Sequence, residues 1–349
     1  MRVVLAALAA VLVMTGCSAP EPVAQEPRSA PDVLPNGYMS PAVHSPPVAP
    51  CPDPGRSLNP AGLTRAQTPT VNRIRNEDKR LMVGLSQTAP LFSRRDLATG
   101  EHTGFEVDIV RRIAQELFGE PLSTSDPRLR LVTMPTGSRL FALDTAKNRA
   151  VRERRPELRE VPVVDLVIAD VSITCERVET YGLRYSAPYL TANTGLMVRR
   201  GDEGVRSPDD LGGREVCSGA QTTNSDQMIE IRDRQRAEGK PAVIPVAVSD
   251  TSECLMLLQR GLVDAIYTDI LILEGFRQQD PTAVLLDYRS PSAGEVGIAI
   301  SDEDQDLIRF VNGVLDRMRA DGSLAALNAK WFGSVPNREP IPASRYVDP

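Results

Sequence analysis

The stretch "GFEVDIVRRIAQEL" (104–117) has the apolar spacing of a helix that packs one face against a core. Apolar residues recur in it every three or four positions, which brings them to one side of an α-helix. These residues are Val107, Val110, Ile113, Ala114 and Leu117. Gly119 follows, and a glycine commonly ends a helix because it adopts a left-handed backbone without steric cost. The sequence therefore predicts an amphipathic helix that begins near Phe105 and stops near Gly119.

On both sides of this helix, short runs rich in β-branched residues alternate with helical patterns. Strands are predicted at 80–85, 129–133, 163–170, 242–248, 263–269, 283–287 and 297–301. Helices are predicted at 138–146, 225–237, 252–261, 304–322 and 323–333. This alternation indicates an α/β fold with mostly parallel strands, and a body of roughly 280 residues is long enough for two modest domains.

The chain begins with the features of a secretory signal peptide. Arg2 precedes an apolar run at 3–13, which is about eleven residues long, whereas a membrane-spanning helix needs about 20. The stretch "LVMTGC" (12–17) resembles the bacterial lipobox, in which the cysteine is lipidated and becomes the first residue of the mature protein. We therefore expect residues 1–16 to be a signal peptide and Cys17 to carry a lipid anchor. An ordinary secretory signal with an incidental cysteine is the alternative.

The segment that follows is rich in proline. Residues 18–60 contain 12 of the 29 prolines of the chain. A segment of this composition buries too little apolar surface to offset the entropy lost on ordering, and its prolines favour extended conformations. We expect residues 17–64 to be a tether between the lipidated cysteine and the folded body.

Composition and motifs limit the possible functions. The net charge of −6 and the pI near 5.3 argue against a nucleic-acid partner. The sequence has no dinucleotide-binding, P-loop or zinc-protease motif, no CxxC pair, and only His44 and His102 as histidines, so it predicts no cofactor and no metal site. Besides Cys17 there are four cysteines, and an even number outside the cytosol favours disulfides.

The stretch 104–117 also resembles the signature of family 3 solute-binding proteins, which capture polar amino acids for ABC importers. Further segments resemble the family in the expected order, and the likeness covers residues 81–333. They are "ADVSITCERVETYGLRYSAPYL" (169–190), "DLGGREVCSGAQTTNS" (210–225), "LQRGLVDAIYTD" (258–269) and "GSLAALNAKWFG" (322–333). Within the family, these segments resemble in particular the glutamate/glutamine-binding lipoproteins of actinobacteria.

The resemblance implies a two-lobed α/β fold of the periplasmic-binding-protein type II, with mixed sheets, flanking helices and two hinge crossovers. Lobe 1 is expected at residues 65–190 and 294–340, lobe 2 at 191–293, and a tail at 341–349. The hinges would lie near 189–194 and 291–296, with the ligand in the cleft between the lobes. Contacts from both lobes to the ligand would link binding to closure.

For the carboxylate and ammonium groups of an amino acid, the resemblance points to specific residues. Arg177 lies five residues after Ser172, as in the family's carboxylate clamp, where backbone groups near Asp170 also take part. Asp269 matches the family's ammonium-binding aspartate, although capping of the following helix is an alternative role for it. Asp170 stands where the family often has glycine, so it either helps to bind the ammonium or forms local hydrogen bonds.

A second set of candidate residues precedes a predicted helix. Thr222, Thr223 and Asn224 stand just before the helical pattern at 225–237. A helix N-terminus presents free N–H groups and a partial positive charge, which suit a carboxylate. In the family this turn contacts the bound amino acid, and plain helix capping is the alternative.

The side chain of the ligand is predicted from the segment "GLSQTAPLFSRRD" (84–96). Family members that bind cationic or long amino acids often stack them on an aromatic residue here, but this segment has no aromatic residue before Phe92. Hydroxyl and amide groups are present instead, followed by Arg94 and Arg95. This favours an acidic amino acid or its amide (Glu, Asp, Gln or Asn), unless the two arginines belong to a solvated turn.

The related lipoproteins often carry a disulfide within lobe 2, and the resemblance implies a Cys217–Cys254 bond here. Cys51 and Cys175 then remain, and a bond between them would fasten the end of the tether to lobe 1. The segment 147–161 contains six basic and three acidic residues. We interpret it as a solvated helix or loop, or alternatively as a docking surface for a membrane partner.

Together these features predict a monomeric, non-enzymatic lipoprotein anchored to the outer face of the cell membrane, which delivers a free amino acid to an ABC permease. One alternative is an amino-acid sensor that signals through a membrane receptor. A more remote alternative is an enzyme that resembles cyclohexadienyl dehydratase, with Asp170 as the candidate acid.

Overall fold

A computed structural model describes residues 39–43, 48, 51–63, 68–202 and 204–347 of the chain. They lie in one compact unit, Pro35–Pro349. The predictions for residues 1–16 and for Cys17 fall outside the described residues. Within these ranges, every helix is too short or too polar to cross a lipid bilayer.

The strands and helices alternate along the chain as the sequence predicts. The strands are β1 Ser40–Pro41, β2 Leu81–Leu85, β3 Thr88–Ala89, β4 Ser93–Arg95, β5 His102–Thr103, β6 Leu129–Thr133, β7 Leu166–Val167, β8 Leu183–Tyr185, β9 Leu190–Ala192, β10 Thr194–Arg199, β11 Glu215–Gly219, β12 Ile244–Val248, β13 Ala265–Asp269, β14 Ala283–Leu285, β15 Gly294–Val296 and β16 Ala299–Ser301. The helices are α1 Pro69–Asn72, α2 Phe105–Phe118, α3 Ala146–Arg154, α4 Cys175–Tyr181, α5 Thr223–Ala237, α6 Glu253–Gln259, α7 Ile270–Gln279, α8 Gln305–Ala320 and α9 Ser323–Phe332.

Two mixed sheets organise the body. The first has the strand order β6-β2-β7-β16-β8, with β2 parallel to both β6 and β7 and with β16 antiparallel to its neighbours. The second has the order β1-β12-β11-β13-β10-β14, with parallel pairing among β12, β11 and β13. We call the part built on the first sheet lobe 1 and the part built on the second sheet lobe 2. The predicted two-lobed α/β fold is thus confirmed.

Within residues 183–301, the chain crosses between the lobes twice, through strands that pair with each other. Strand β9 leads from lobe 1 to lobe 2, β15 leads back, and the two form an antiparallel ribbon in which Leu190 is opposite Val296. Because β9 and β15 pair in one ribbon, these two connections between the lobes lie side by side. This is the geometry of a hinge.

The helix predicted from the opening stretch is confirmed as α2. Its apolar side chains are buried, it contacts α8, α9, β4 and β5, and it ends at Gly119, whose φ of 83° is left-handed. Glu106 lies on the same buried face and is fully enclosed. A carboxyl group is therefore held inside lobe 1, and the helix brings it to the cleft.

Two of the predicted elements differ in the structure. The helix predicted at 138–146 is a 3-10 helix over Thr136–Ala142, because Leu143 is extended and forms a bridge with Val164 before α3 begins. The strand predicted at 163–170 pairs only over Leu166–Val167. It cannot continue to its predicted end because Asp170 has a φ of 51°, in the left-handed region.

The predicted tether at 17–64 is partly wrong, since some of its residues pack on the folded body. The Ser57 hydroxyl donates to the Tyr185 backbone oxygen over 2.6 Å, and Leu58 is buried. Strand β1, from the same predicted tether, pairs antiparallel with β12 at the edge of the lobe 2 sheet. Hydrogen bonding to strand edges and to buried polar groups orders these residues despite their composition.

Both predicted disulfides are present. Cys217 and Cys254 are bonded within lobe 2, with their Cα atoms 5.7 Å apart. Cys51 is bonded to Cys175, the first residue of α4, with a Cα–Cα distance of 5.5 Å. The second bond attaches the N-terminal segment to lobe 1.

The basic segment at 147–161 forms α3 and a 3-10 turn at Pro156–Glu160. Two of its exposed cations have acidic partners at 2.8 Å, Arg149 with Glu303 and Arg155 with Glu157, while Arg159 donates to backbone oxygens. This supports the interpretation of a solvated, ion-paired surface.

Candidate ligand-binding cleft

A polar cavity lies between the lobes. Lobe 1 contributes polar side chains from several loops and from α2, and lobe 2 contributes the ends of strands and the start of α5. Its polar lining residues are Ser86, Thr88, Glu106, Thr136, Arg139, Asp170, Ser172, Thr222, Thr223, Asn224, Asp250, Thr251, Ser252, Thr268 and Asp269. The carboxyl ends of parallel strands are the usual place for ligands in such sheets.

Hydrogen bonds cross the cleft, so the structure is a closed form. The Thr88 hydroxyl donates to the Asp250 carboxylate over 3.0 Å. The hydroxyl groups of Ser172 and Thr223 lie 3.2 Å apart, and the Gly137 N–H donates to the Ser249 backbone oxygen over 2.9 Å. The lining groups of both lobes can therefore contact one small ligand at the same time.

Asp269 lies at the end of β13 with its side chain buried and facing the cavity. It occupies the N-cap position of α7, but its side chain makes no capping hydrogen bond. The Asn224 amide instead donates to Asp269 Oδ1 over 3.3 Å. Helix capping therefore does not explain the position of this carboxyl group, which faces the cavity instead.

The residues at the start of α5 line the cavity, and one of them also caps the helix. Thr222 caps the helix, since its hydroxyl oxygen accepts from the Ser225 N–H at 3.1 Å. Thr223 and Asn224 occupy the first turn and line the cavity, and Asn224 Oδ1 also accepts from the Thr194 hydroxyl over 2.7 Å. Asn224 thus connects α5, β10 and Asp269 through its side chain.

Arg177 is buried but does not line the cavity, in contrast to the expected clamp. Its guanidinium donates to the backbone oxygens of Ser172, over 2.7 Å, and Gln221, over 3.1 Å. These contacts hold the loop before α4 in lobe 1 against the turn before α5 in lobe 2. In this closed form Arg177 supports the wall of the cavity.

Arg94 and Arg95 lie outside the cleft, which corrects the prediction that they contact the ligand side chain. Both are exposed on β4, and Arg95 Nε donates to the Gly100 backbone oxygen. Ser93, in the same strand, is buried. The sequence places these cations in the right segment, but the three-stranded pairing of β3, β4 and β5 directs them to solvent. Ser86 and Thr88, from the same predicted segment, do line the cavity.

Phe92 also lines the cavity, although the sequence suggested that an aromatic residue would be missing there. Its ring is buried and packs on Phe332 with 5.1 Å between the ring centroids. Phe92 therefore belongs to the core of lobe 1 and offers only part of its ring to a ligand.

Glu106, Arg139 and Asp250 line the cavity but were not among the predicted site residues. Glu106 had a signal in the sequence, because it precedes Val110 and Ile113 by four and seven positions and so falls on the buried face of α2. Arg139 lies in the 3-10 helix Thr136–Ala142 and carries no motif. Its Nη1 donates to the Ala169 backbone oxygen over 2.7 Å, and its side chain is buried.

Three carboxyl groups meet in the cavity, and their surroundings raise their pKa values. Glu106 Oε1 accepts from the Asp170 N–H over 2.6 Å and from the Tyr189 hydroxyl, yet burial raises the pKa of Glu106 to about 7. Burial and the neighbouring Asp269 raise the pKa of Asp170 well above its usual range. Burial also raises the pKa of Asp269, whose carboxyl lies within hydrogen-bonding reach of Asp170.

Residues 81–334 match the family model of the bacterial extracellular solute-binding proteins, family 3, which is more than half of the chain. This chain belongs to that family. The family 3 protein is 28% identical over 265 residues to the L-cystine-binding protein TcyJ of Escherichia coli strain K12, with 76% of this chain and 86% of TcyJ covered. It is 26% identical over 269 residues to the ABC transporter glutamine-binding protein GlnH of Bacillus subtilis strain 168, with 76% and 86% covered.

Among solved structures, the family 3 protein is similar to an ancestral arginine-binding protein bound to glutamine. The TM-score is 0.57 at 25% identity, with 73% of this chain and 99% of that chain covered. Proteins of this family are extracytoplasmic, bind free amino acids and deliver them to ABC permeases. The family 3 protein is accordingly a solute-binding protein of amino-acid ABC transport.

Proposed function

We propose that this family 3 protein captures a free amino acid with a short amide side chain, glutamine or asparagine, in preference to glutamate or aspartate. The carboxylate of Asp250 is the observation that carries this choice. It lines the cavity beside Ser86 and Thr88, in the part expected to contact the ligand side chain. An amide NH₂ can donate to a carboxylate, whereas an acidic side chain would be repelled by it.

The contacts of Asp250 hold its carboxylate in place. Oδ1 accepts from the Thr88 hydroxyl, at 3.0 Å, and from the N–H and hydroxyl of Ser252. All three of these bonds end on one oxygen, which leaves Oδ2 for a donor on the ligand. A carboxylate fixed in this way discriminates between a donor and an acceptor at the same position.

The charges around the cavity support a ligand without a net negative charge. Four carboxyl groups line it, those of Glu106, Asp170, Asp250 and Asp269. Among the described lining residues, only Arg139 carries a permanent positive charge. A zwitterionic amino acid with a neutral side chain adds no further negative charge, whereas glutamate and aspartate each add one. The sequence favours an acidic amino acid or its amide, and the charges of the cavity favour the amides, glutamine and asparagine.

The proposed placement of the ligand follows the two lobes. Its ammonium group lies between Asp170 and Asp269, and its carboxylate lies near Arg139, Ser172 and the first turn of α5. The glutamine-binding protein GlnH and the ancestral arginine-binding protein bound to glutamine are consistent with this assignment. We further propose that Cys17 is lipidated and anchors the protein to the outer face of the cell membrane, on the basis of the "LVMTGC" stretch.

Isothermal titration calorimetry with glutamine, asparagine, glutamate, aspartate, arginine and cystine tests the ligand. We expect glutamine or asparagine to bind most tightly, and glutamate and aspartate to bind at least about tenfold more weakly, as for one charged hydrogen bond of 1.5–3 kcal/mol. Binding of arginine or cystine without either amide would contradict the proposal. Mass spectrometry of the N-terminal peptide tests the anchor, and an unmodified Cys17 would exclude it.

A further inference from the structure

The three carboxyl groups at the ammonium end of the cavity have too few positive charges around them. Glu106 comes from α2, Asp170 from the loop after β7, and Asp269 from the end of β13. Glu106 Oε2 and Asp170 Oδ1 are buried and have no hydrogen-bond partner among the described residues. Asp170 and Asp269 lie within hydrogen-bonding reach, which two ionised carboxylates avoid.

The polar, charged and titratable groups that face this cluster come from four further segments of the chain. Tyr189, before β9, donates to Glu106. Arg139, in the 3-10 helix, acts on all three carboxyl groups, and Arg177, in α4, acts on Asp269. Asn224, in α5, donates to Asp269 but carries no charge. Arg139 is thus the cation that all three carboxyl groups share, and it also lies close enough to Arg177 to be repelled by it.

We propose that Glu106, Asp170 and Asp269 form one ammonium subsite that holds a proton while the cleft is empty and releases it to solvent when the ammonium group of the ligand enters. This inference rests on the proposed capture of a free amino acid. The proton leaves a carboxyl oxygen for the buffer, and the N–H groups of the ammonium take its place between the carboxylates, so charge and atoms balance.

Both lobes supply carboxyl groups to this subsite, so Asp269 alone does not form it. Asp269 belongs to lobe 2, while Asp170 and Glu106 belong to lobe 1, so the ammonium would contact carboxyl groups of both lobes. The Asp170 N–H donates to Glu106 Oε1, which couples the ionisation of Glu106 to the position of the Asp170 backbone. The raised pKa of Glu106, about 7, is consistent with a proton on the cluster near neutral pH.

The proposed proton release predicts that the affinity for glutamine rises with pH. Below the pH at which the empty cluster ionises, binding must displace a proton, so affinity rises about tenfold per pH unit for each proton released. Above that pH the empty cluster is already ionised, and affinity becomes independent of pH. We therefore expect glutamine to bind more weakly at pH 5.5 than at pH 8.

Calorimetric titration with glutamine in two buffers of different ionisation enthalpy measures the protons released. At pH 6 we expect about one proton per ligand, and at pH 8.5 close to none. The variant Glu106→Gln/Asp170→Asn keeps the side-chain shapes and leaves Asp269 to bind the ammonium, so it should bind glutamine with almost no proton release. Asp306→Asn is the matched control, since Asp306 is a buried carboxyl outside the cleft that accepts from the Val71 N–H, and it should release the same proton as the wild type.

Glutamine binding at pH 6 without proton release would overturn the inference and leave the proposed function intact. Unchanged proton release in a folded double variant would also overturn it. A ¹³C NMR titration of the side-chain carboxyl carbons tests the empty cluster without any ligand. At least one of the three groups should titrate near neutral pH, and titration of all three below pH 5 would exclude the protonated cluster. Failure of the amino acids to bind would instead count against the proposed function.

Discussion

The guanidinium of Arg177 in lobe 1 donates a hydrogen bond to the backbone oxygen of Gln221 in lobe 2 over 3.1 Å. The same group donates to the Ser172 backbone oxygen, and the Tyr181 hydroxyl donates to the Gln221 side chain. A buried cation thus connects the two loops from which Ser172 and Thr223 reach the cavity. The role of Arg177 in closure can be tested against Arg94, one of the two exposed arginines that the sequence predicted to contact the ligand.

Replacement of Arg177 by alanine should weaken glutamine binding about 10-fold to 100-fold. The change removes the charged hydrogen bond from Arg177 to the Gln221 backbone oxygen across the closed cleft, which is worth about 1.5–3 kcal/mol. Titration calorimetry at pH 8 measures the effect. Arg94→Ala is the matched control because Arg94 is exposed on β4, and its affinity should stay within about twofold of the wild type. A larger loss of affinity in Arg94→Ala than in Arg177→Ala would instead support the prediction that Arg94 contacts the ligand side chain.

Replacement of Asp250 by asparagine should reduce the preference for glutamine over glutamate at least about tenfold. Asparagine can donate to an acidic side chain, and the repulsion from the carboxylate is removed. The ratio of the two dissociation constants measures this preference. Glu253→Gln changes a neighbouring carboxylate that accepts from the Asp250 N–H but does not line the cavity, so its ratio should be unchanged. An unchanged ratio in Asp250→Asn would remove the basis for the amide preference.

Loss of the Cys51–Cys175 disulfide should lower the free energy of unfolding more than loss of the Cys217–Cys254 disulfide. The bonds span 124 and 37 residues, for which chain entropy gives about 5 and about 4 kcal/mol. Urea denaturation of the paired serine variants measures both. A Cys51→Ser/Cys175→Ser variant as stable as the wild type would show that the attachment of the N-terminal segment adds nothing to stability.

The ligand-free protein should lose stability as the pH rises from about 4.5 to about 7. Over this range the folded protein keeps a proton on Glu106 that the unfolded chain has lost, because burial raises the pKa of Glu106 to about 7. A shift from 4.5 to about 7 corresponds to roughly 3 kcal/mol. Urea midpoints at pH 5 and pH 8 measure it.

The Glu106→Gln variant provides the comparison, since Gln keeps an oxygen to accept from the Asp170 N–H. It should lose less stability than the wild type over this pH range, and at pH 8 it should be the more stable of the two. Equal losses in both proteins would show that Glu106 ionises normally in the fold.

The sequence identified most of the cleft but not its full set of charges. The helix over 105–118, the strand that ends at Asp269, and the helix that starts after Thr222 all follow from local periodicity and helix-start signals. Glu106 could have been found from its place on the buried face of α2. Arg139 and Asp250 could not, because Arg139 carries no motif within its predicted helix and Asp250 lies between two predicted elements.

The N-terminal segment shows the limit of composition as a guide. Its prolines indicate an extended chain, and composition does not show whether such a chain packs on the folded body. The structure supplies that partner in the edge of β12 and in the buried groups around Ser57. A proline-rich segment becomes ordered when distant strands and side chains satisfy its backbone groups.

The amino-acid sequence by itself determined the order of strands and helices, the family, and which residues end up near the cleft, because burial and turn formation depend on neighbours within a few positions. Only the tertiary structure decided which charged groups face the ligand. Arg94 and Arg95 point to solvent while Glu106, Asp170 and Asp269 converge from segments up to 163 residues apart. That convergence arises from the packing of two lobes about a shared ribbon, a long-range interaction that no local spacing records.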